Sequence, residues 1–243
     1  MVVRAPRTPR KTVNTRPLAP LKICVVTQEF FVTNQKSESA AAVMGLAQQL
    51  AAVGDSVTLV WLPPPGTDRR LHLEEFEKIE QYCFEQYLIR VEVLQDLPDL
   101  HGGIHNNQMA SLAVYNHIKC QDYDVVYFAL EGGLGYYTLL AVELGLYSPR
   151  PRIYVLANLP LIWQVEANRR FHESRREIST SYMERYCISM PDRLISSTHY
   201  MVEWMKSRSW TLPKDVVVMS PIRPNELLRP NGPEAGPPDA ARR

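Results

Sequence analysis

Seven short runs of apolar, largely β-branched residues alternate along this chain with segments whose apolar residues recur at helical spacing. The runs cover residues 21–27, 57–62, 89–94, 124–130, 153–157, 193–197 and 216–219. Strands that are apolar at consecutive positions are buried on both faces, and alternation with helices is typical of a parallel sheet. The sequence therefore predicts an α/β fold, a Rossmann-like parallel sheet of about seven strands with helices on both faces.

The two ends of the chain differ in composition from this central part. The first twenty residues contain five basic side chains, four prolines and no acidic residue, and from residue 221 onward Pro, Gly, Asn and Ala dominate without periodicity. Such segments bury too little apolar surface to order themselves. We therefore expect a disordered basic tail at 1–20, one domain at 21–220, and a Pro/Gly-rich linker or disordered tail at 221–243. The basic tail is either a solvated segment or a tether for phospholipid head groups or an acidic partner.

Overall composition excludes several classes of protein. The formal net charge of +1 gives no general attraction to nucleic acid, so we expect no nucleic-acid partner and at most peripheral membrane contact. No run approaches the roughly 20 apolar residues that span a bilayer, and no signal peptide is recognisable at the start. We expect a soluble, cytoplasmic protein. The four cysteines are scattered without a C-x-x-C pair, which favours buried free thiols over disulfides or zinc.

Two common ligand sites are absent from the sequence. The loop at 28–36, after the first run, contains no glycine, whereas dinucleotide and P-loop sites need glycines where the backbone approaches phosphates. His101 and His105 lie four residues apart, but the glycine pair between them predicts a loop and no carboxylate completes a ligand set. We therefore expect neither an NAD or ATP enzyme of the usual kind, nor a cofactor, nor a metal site.

Candidate functional residues follow the predicted strands. Right-handed crossovers place the loops after parallel strands at one rim, where ligands of open α/β sheets bind. Glu131 comes at the end of the fourth run, and Gly132 and Gly133 let the chain pass close to whatever lies above them. Glu131 either positions a sugar hydroxyl or acts as a base, or it caps the next helix by accepting from its free N–H groups.

Two further residues are candidates for binding a substrate together with Gly132 and Gly133. Glu29 follows the first run as Glu131 follows the fourth. Tyr136 either stacks on a sugar ring or packs in the core. Beyond them, residues 169–190 are predicted to form one long helix whose mixed charges indicate a solvated face.

Several phrases of the sequence, in their order, carry a resemblance to a known family. They are Leu-Ala-Ala-Val-Gly-Asp-Ser-Val at 50–57, Tyr-Asp-Val-Val-Tyr at 123–127, Met-Glu-Arg at 183–185 followed by Met-Pro-Asp-Arg-Leu-Ile-Ser-Ser at 190–197, and the segment 216–224. Together they resemble the N-terminal domain of family 4 glycosyltransferases of the GT-B fold. The resemblance covers about residues 21–230 and implies a single GT-B lobe.

The resemblance implies transfer of a sugar from a nucleotide-sugar donor to a sugar or glycan acceptor. This lobe would hold mainly the acceptor, and a C-terminal lobe or partner subunit would hold the nucleotide and complete a hexosyltransferase. Glu131 and Asn158 would then be the catalytic positions, with Glu29 a further sugar contact. The lobe alone would be inactive or very weak, because the groups that neutralise the leaving diphosphate belong to the second lobe.

Two departures from the family pattern favour another function. The glycine pair common in the first loop of the family is replaced by Asn-Gln-Lys-Ser at 34–37. A histidine often found after the fifth strand is matched by Asn158, which can form hydrogen bonds but cannot relay a proton. The alternative is therefore a non-catalytic interaction module built on a degenerate glycosyltransferase lobe.

Overall fold

The computed structural model describes residues 19–29, 38–63, 69–94 and 106–219. Residues 1–18 of the predicted basic tail, the predicted tail at 221–243, the 34–37 segment and the pair His101 and His105 lie outside these residues. The described residues contain one parallel sheet of seven strands. The strands are β1 Lys22–Thr27, β2 Ser56–Trp61, β3 Ile89–Val93, β4 Val125–Ala129, β5 Arg152–Ala157, β6 Arg193–Ser196 and β7 Val216–Val218. Each of the seven predicted runs is thus confirmed as a strand.

Helices cover both faces of this sheet. They are α1 Glu38–Ala52, α2 Arg69–Tyr87, α3 Asn106–Ile118, α4 Tyr136–Glu143, α5 Leu161–Ala167, α6 Arg175–Ser189 and α7 His199–Ser207, with a 3₁₀ turn at Glu131–Gly133 before α4. One core joins α1 and α2 to strand residues such as Val25 and Leu59. The other joins α3, α4, α6 and α7 to residues such as Val126 and Phe128. The predicted α/β class, with a Rossmann-like sheet and helices on both faces, is confirmed.

The prediction of one helix over residues 169–190 is wrong. Helix α5 ends at Ala167, and α6 begins only at Arg175. Arg169 has a φ of 52°, a left-handed conformation that no helix continues through. Ser174 then caps α6, because its hydroxyl accepts the N–H of Glu177 at 3.2 Å. The Ser-x-x-Glu pattern at this cap was the signal for the break.

The strand order creates one crevice at the rim. The order is β3-β2-β1-β4-β5-β6-β7, so β1 pairs with β2 on one side and with β4 on the other. Successive crossovers run outward from these two central strands in opposite directions. Helices therefore diverge at the carboxyl ends of β1 and β4, which is where open α/β sheets bind their ligands.

Other expectations concern the cysteines, membrane spans and metals. All four cysteines are free; Cys24, Cys83 and Cys187 are buried, whereas Cys120 is exposed. Among the described helices none combines the length and apolar character that crossing a membrane demands. Within the same residues no three His, Cys, Asp or Glu side chains converge as metal ligands would.

Candidate functional site

The turn after β4 lies at the crevice between β1 and β4. Gly132 and Gly133 are buried, with φ values of 72° and 67°. A Cβ on Gly132 would lie 2.9 Å from Oε1 of Gln28, and one on Gly133 would lie 2.5 Å from Cβ of Met183. The glycines therefore let the end of β1 and helix α6 approach this turn. Their predicted contact with a substrate remains a prediction.

Glu131 begins this turn and extends toward α1. Its Oε1 accepts a hydrogen bond from the hydroxyl of Ser39, in the first turn of α1. Its Oε2 is buried and, among the described residues, has no hydrogen-bond partner. No side chain caps the 3₁₀ turn or α4. The interpretation of Glu131 as a helix cap is therefore wrong, and one carboxyl oxygen is left unused at the crevice.

The surroundings of Glu131 favour its neutral form. Burial raises the pKa of the carboxyl, and the nearby charge of Glu29 raises it further. The hydrogen bond from Ser39 and the backbone N–H of Glu131 itself act in the opposite direction, because both stabilise the carboxylate. The net result is a pKa above the ordinary value for glutamate.

Glu184 is a functional candidate that the sequence analysis missed. It lies on α6 with only 3% of its surface exposed. Oε1 accepts the N–H of Gly132 at 3.1 Å, and Oε2 accepts the N–H of Leu161 at 2.6 Å. Burial raises the pKa of Glu184 to about 8, with a smaller contribution from Glu131, although the two N–H groups lower it.

A signal for Glu184 was present in the sequence. The buried residues of α6 include Thr180, Cys187 and Ile188, which share a helical face with Glu184. A glutamate on the core-facing stripe of a helix needs internal partners, since an unpaired buried carboxylate is costly. The helical periodicity could have identified the buried glutamate, but not its two N–H partners.

Glu29 and Asn158 lie at the same rim. The N–H of Glu29 donates to the hydroxyl of Thr27 at 3.0 Å, and that hydroxyl donates to the carbonyl of Glu29 at 2.9 Å. Asn158 is partly buried directly after β5. Its amide can both donate and accept hydrogen bonds. The structure thus brings Glu29, Glu131 and Asn158 to neighbouring turns of one rim.

Tyr136 lies among other aromatic side chains. Its ring centroid is 5.1 Å from that of Tyr137, 5.1 Å from that of Tyr186 and 6.1 Å from that of Tyr182, all edge to face. Tyr136 is partly buried against the core, and this burial raises its pKa. Of the two interpretations, core packing is the one that the structure shows, and contact with a sugar remains a prediction.

Comparison with known proteins gives similarity in structure alone. No family model and no curated protein matches the chain. UGT73P12 from Glycyrrhiza uralensis, complexed with glycyrrhetinic acid 3-O-monoglucuronide, is 12% identical at a TM-score of 0.46, covering 83% of this chain and 49% of that one. Apo UGT2 from Phytolacca americana is 12% identical at 0.48, covering 84% and 52%. A UGT transferase from Siraitia grosvenorii in complex with UDP is 12% identical at 0.44, covering 82% and 51%.

This chain therefore spans about half the length of each of these proteins. Identities of 12% and TM-scores below 0.5 establish neither a shared family nor a shared activity. What the chain does has to be argued from its own residues.

Proposed function

We propose that this chain is the acceptor-side lobe of a GT-B glycosyltransferase that moves a sugar from a nucleotide-sugar donor to a sugar or glycan acceptor. The observation that carries the proposal is the unpaired Oε2 of Glu131, a carboxyl oxygen at the crevice between β1 and β4. A sugar hydroxyl both donates and accepts hydrogen bonds, so it can donate to this oxygen when the carboxyl is ionised and accept from it when the carboxyl is protonated. Because Oε2 is buried, the hydroxyl reaches it only when the groups that cover it move.

The family phrases fall on the elements that this proposal needs. The phrase at 50–57 joins the end of α1 to β2, and that at 123–127 enters β4. The phrase at 183–185 lies on α6 and contains Glu184, and that at 190–197 spans β6. These positions support residues 21–220 as one lobe of the proposed enzyme.

The chemistry of the site matches an acceptor side better than a donor side. Glu131 and Glu29 accept hydrogen bonds from hydroxyls, and the Asn158 amide both donates and accepts. All three lie at one rim, and none of them carries a positive charge. A leaving diphosphate requires positive charge or a metal to stabilise it. We therefore propose that a second lobe supplies the nucleotide site and that this chain alone transfers no sugar, without a cofactor or metal of its own.

The first experiment is the intact mass of the endogenous protein, compared with the 27.8 kDa of this chain. If the mass is larger, the longer protein is purified and given a panel of nucleotide sugars, and release of nucleoside diphosphate is measured. We expect turnover with one donor, and a loss of about 10- to 100-fold in kcat/KM for Asn158→Ala and for Glu131→Gln, as when a hydrogen bond to the substrate is removed.

The matched controls are Asn168→Ala and Glu203→Gln, which change the same residue types at the exposed residue directly after α5 and at an exposed position of α7. These variants should keep full activity. Nucleoside diphosphate release by this chain alone would overturn the proposed need for a second lobe. A longer protein with no turnover and no donor binding would overturn the glycosyltransferase proposal itself.

A non-catalytic interaction module is the second candidate function. It is favoured because groups of the site already contact other parts of the chain. Gly133 packs on α6, and Glu184 accepts hydrogen bonds from two backbone amides. Asn158 also favours this function, because the family often has a histidine at that position. An endogenous mass equal to 27.8 kDa, with one stoichiometric partner and no bound nucleotide sugar on purification, would support this function over the first.

A further inference from the structure

The Glu184 carboxyl is the point where three elements of the rim meet. It projects from α6 and accepts the Gly132 amide from the turn after β4 and the Leu161 amide from the start of α5. The first amides of a helix have no intrahelical partner, so Leu161 depends on a partner from elsewhere. The two turns joined in this way carry Glu131, next to Gly132, and Asn158, three residues before Leu161.

Only a group with two acceptor oxygens fits this position. A carboxyl presents one oxygen to each amide, whereas a glutamine would present its own N–H₂ group to one of them. With 3% of the residue exposed, bulk water does not reach the carboxyl in the folded chain. A buried amide left without an acceptor is costly, so removal of the carboxyl should loosen both turns together.

We propose that Glu184 is a positioning residue whose carboxyl ties the turns after β4 and β5 to α6 and so holds Glu131 and Asn158 in register at the crevice. This positioning role depends on the proposed function, since it presumes that Glu131 and Asn158 contact a sugar. The tie itself is a property of the folded chain that is measured without any sugar.

The charged and titratable groups around Glu184 leave the two amides as its partners. Glu131 faces it from the turn after β4, and Cys187 lies near it on α6, where burial and, to a smaller extent, the charge of Glu184 raise the pKa of the thiol. The neighbouring Arg185 stacks over Trp210 instead, and Tyr186 donates to Glu143. Among the described residues no basic side chain pairs with Glu184. The Gly132 and Leu161 amides therefore stabilise its carboxylate, against the burial that raises its pKa to about 8.

Amide hydrogen exchange measured by NMR at neutral pH tests the tie. In the wild-type chain we expect both the Gly132 and the Leu161 amide to be protected, since each donates to one oxygen of the carboxyl. In Glu184→Ala both amides should lose at least about tenfold in protection. In Glu184→Gln the amide that faces the remaining carbonyl oxygen should stay protected, and the other should lose its protection.

Two internal controls separate the tie from general loosening. The Tyr137 amide, which donates to the Ser111 hydroxyl at 3.0 Å, should keep its protection in all variants. Glu203→Gln changes an exposed glutamate of α7 that pairs with Lys206, and it should leave Gly132 and Leu161 unaffected.

The proposal is overturned if Glu184→Ala protects both amides as well as the wild-type chain does, or if Glu184→Gln does. Should Glu184→Ala fail to fold, the protection of the two amides in Glu184→Gln decides. Absence of sugar transfer in the longer protein would overturn the proposed function and leave the tie standing, whereas unchanged protection of the two amides would overturn the tie and leave the proposed function standing.

Discussion

Gly133 is held more tightly by its neighbours than any other glycine whose surroundings are described. Its φ of 67° is a left-handed conformation, and the space for a side chain is already filled by Met183 of α6. Gly145 has nearly the same φ, 69°, but open space around the position of a Cβ. Substituting the two glycines therefore distinguishes the cost of backbone strain, which both share, from the cost of close packing, which only Gly133 has.

Gly133→Ala should lower the free energy of unfolding by about 2–4 kcal/mol, because strain and overpacking add. Gly145→Ala should lower it by about 1 kcal/mol, from strain alone. Urea unfolding of both variants and the wild-type chain at neutral pH measures the difference. Equal losses would mean that α6 can move away from the turn, contrary to the close packing described.

At the scale of elements, α6 depends on its first turn. The Ser174 hydroxyl accepts the Glu177 amide, and the Glu177 carboxylate in turn accepts the Glu173 amide at 2.7 Å. This cap ends the irregular segment after α5 and fixes where α6 starts. The helix must begin there for Met183 and Glu184 to reach the turn after β4.

Ser174→Ala should lower the free energy of unfolding by about 1 kcal/mol, since the Glu177 amide loses its acceptor. Ser207→Ala is the matched control, because Ser207 is exposed in the last turn of α7 and its hydroxyl donates to a carbonyl of its own helix, that of Trp204. We expect a change close to zero for this control. Thermal unfolding followed by circular dichroism compares the two variants, and a control that loses as much stability as Ser174→Ala would contradict the importance of the cap.

The strands were predictable from the sequence, whereas one helix boundary and the contacts between distant side chains were not. Continuous apolar runs identify buried strands such as β4, because burial on both faces leaves no polar position. The break before α6 was missed, since helical spacing on either side hides a short irregular segment. The contacts of Glu131 with Ser39 and of Glu184 with Gly132 were not predictable. They join residues 92 and 52 positions apart, and no local pattern encodes such pairings.

At the scale of the whole molecule, buried glutamates make stability depend on pH in an unusual direction. The folded chain keeps a proton on Glu184 up to a pH of about 8, whereas the unfolded chain releases it near the ordinary pKa of 4.5. Unfolding between these values therefore releases a proton, and stability falls as the pH rises through this window. Asp192 acts in the opposite direction, because Arg150 and the Ile153 amide lower its pKa.

Between pH 5 and 8.5 the free energy of unfolding of the wild-type chain should decline by a few kcal/mol relative to that of Glu184→Gln, since one pKa unit corresponds to about 1.4 kcal/mol. Urea unfolding at a series of pH values measures both curves. Glu177→Gln should follow the wild-type slope, because the pKa of Glu177 is lowered by the Glu173 amide and Arg170. Parallel curves for the wild-type chain and Glu184→Gln would show that Glu184 is ionised throughout.

The position of β1 in the interior of the sheet has a consequence for synthesis on the ribosome. The β1 partner on one side is β4, and the Lys22 amide bonds the Asp124 carboxylate across 102 residues of chain. Translation adds roughly 5–20 residues per second, so β1 waits about 5–20 s for that partner. During this interval the nascent β1 edge is an open template for strands of other chains, which makes this stage the one at which a chaperone would matter most.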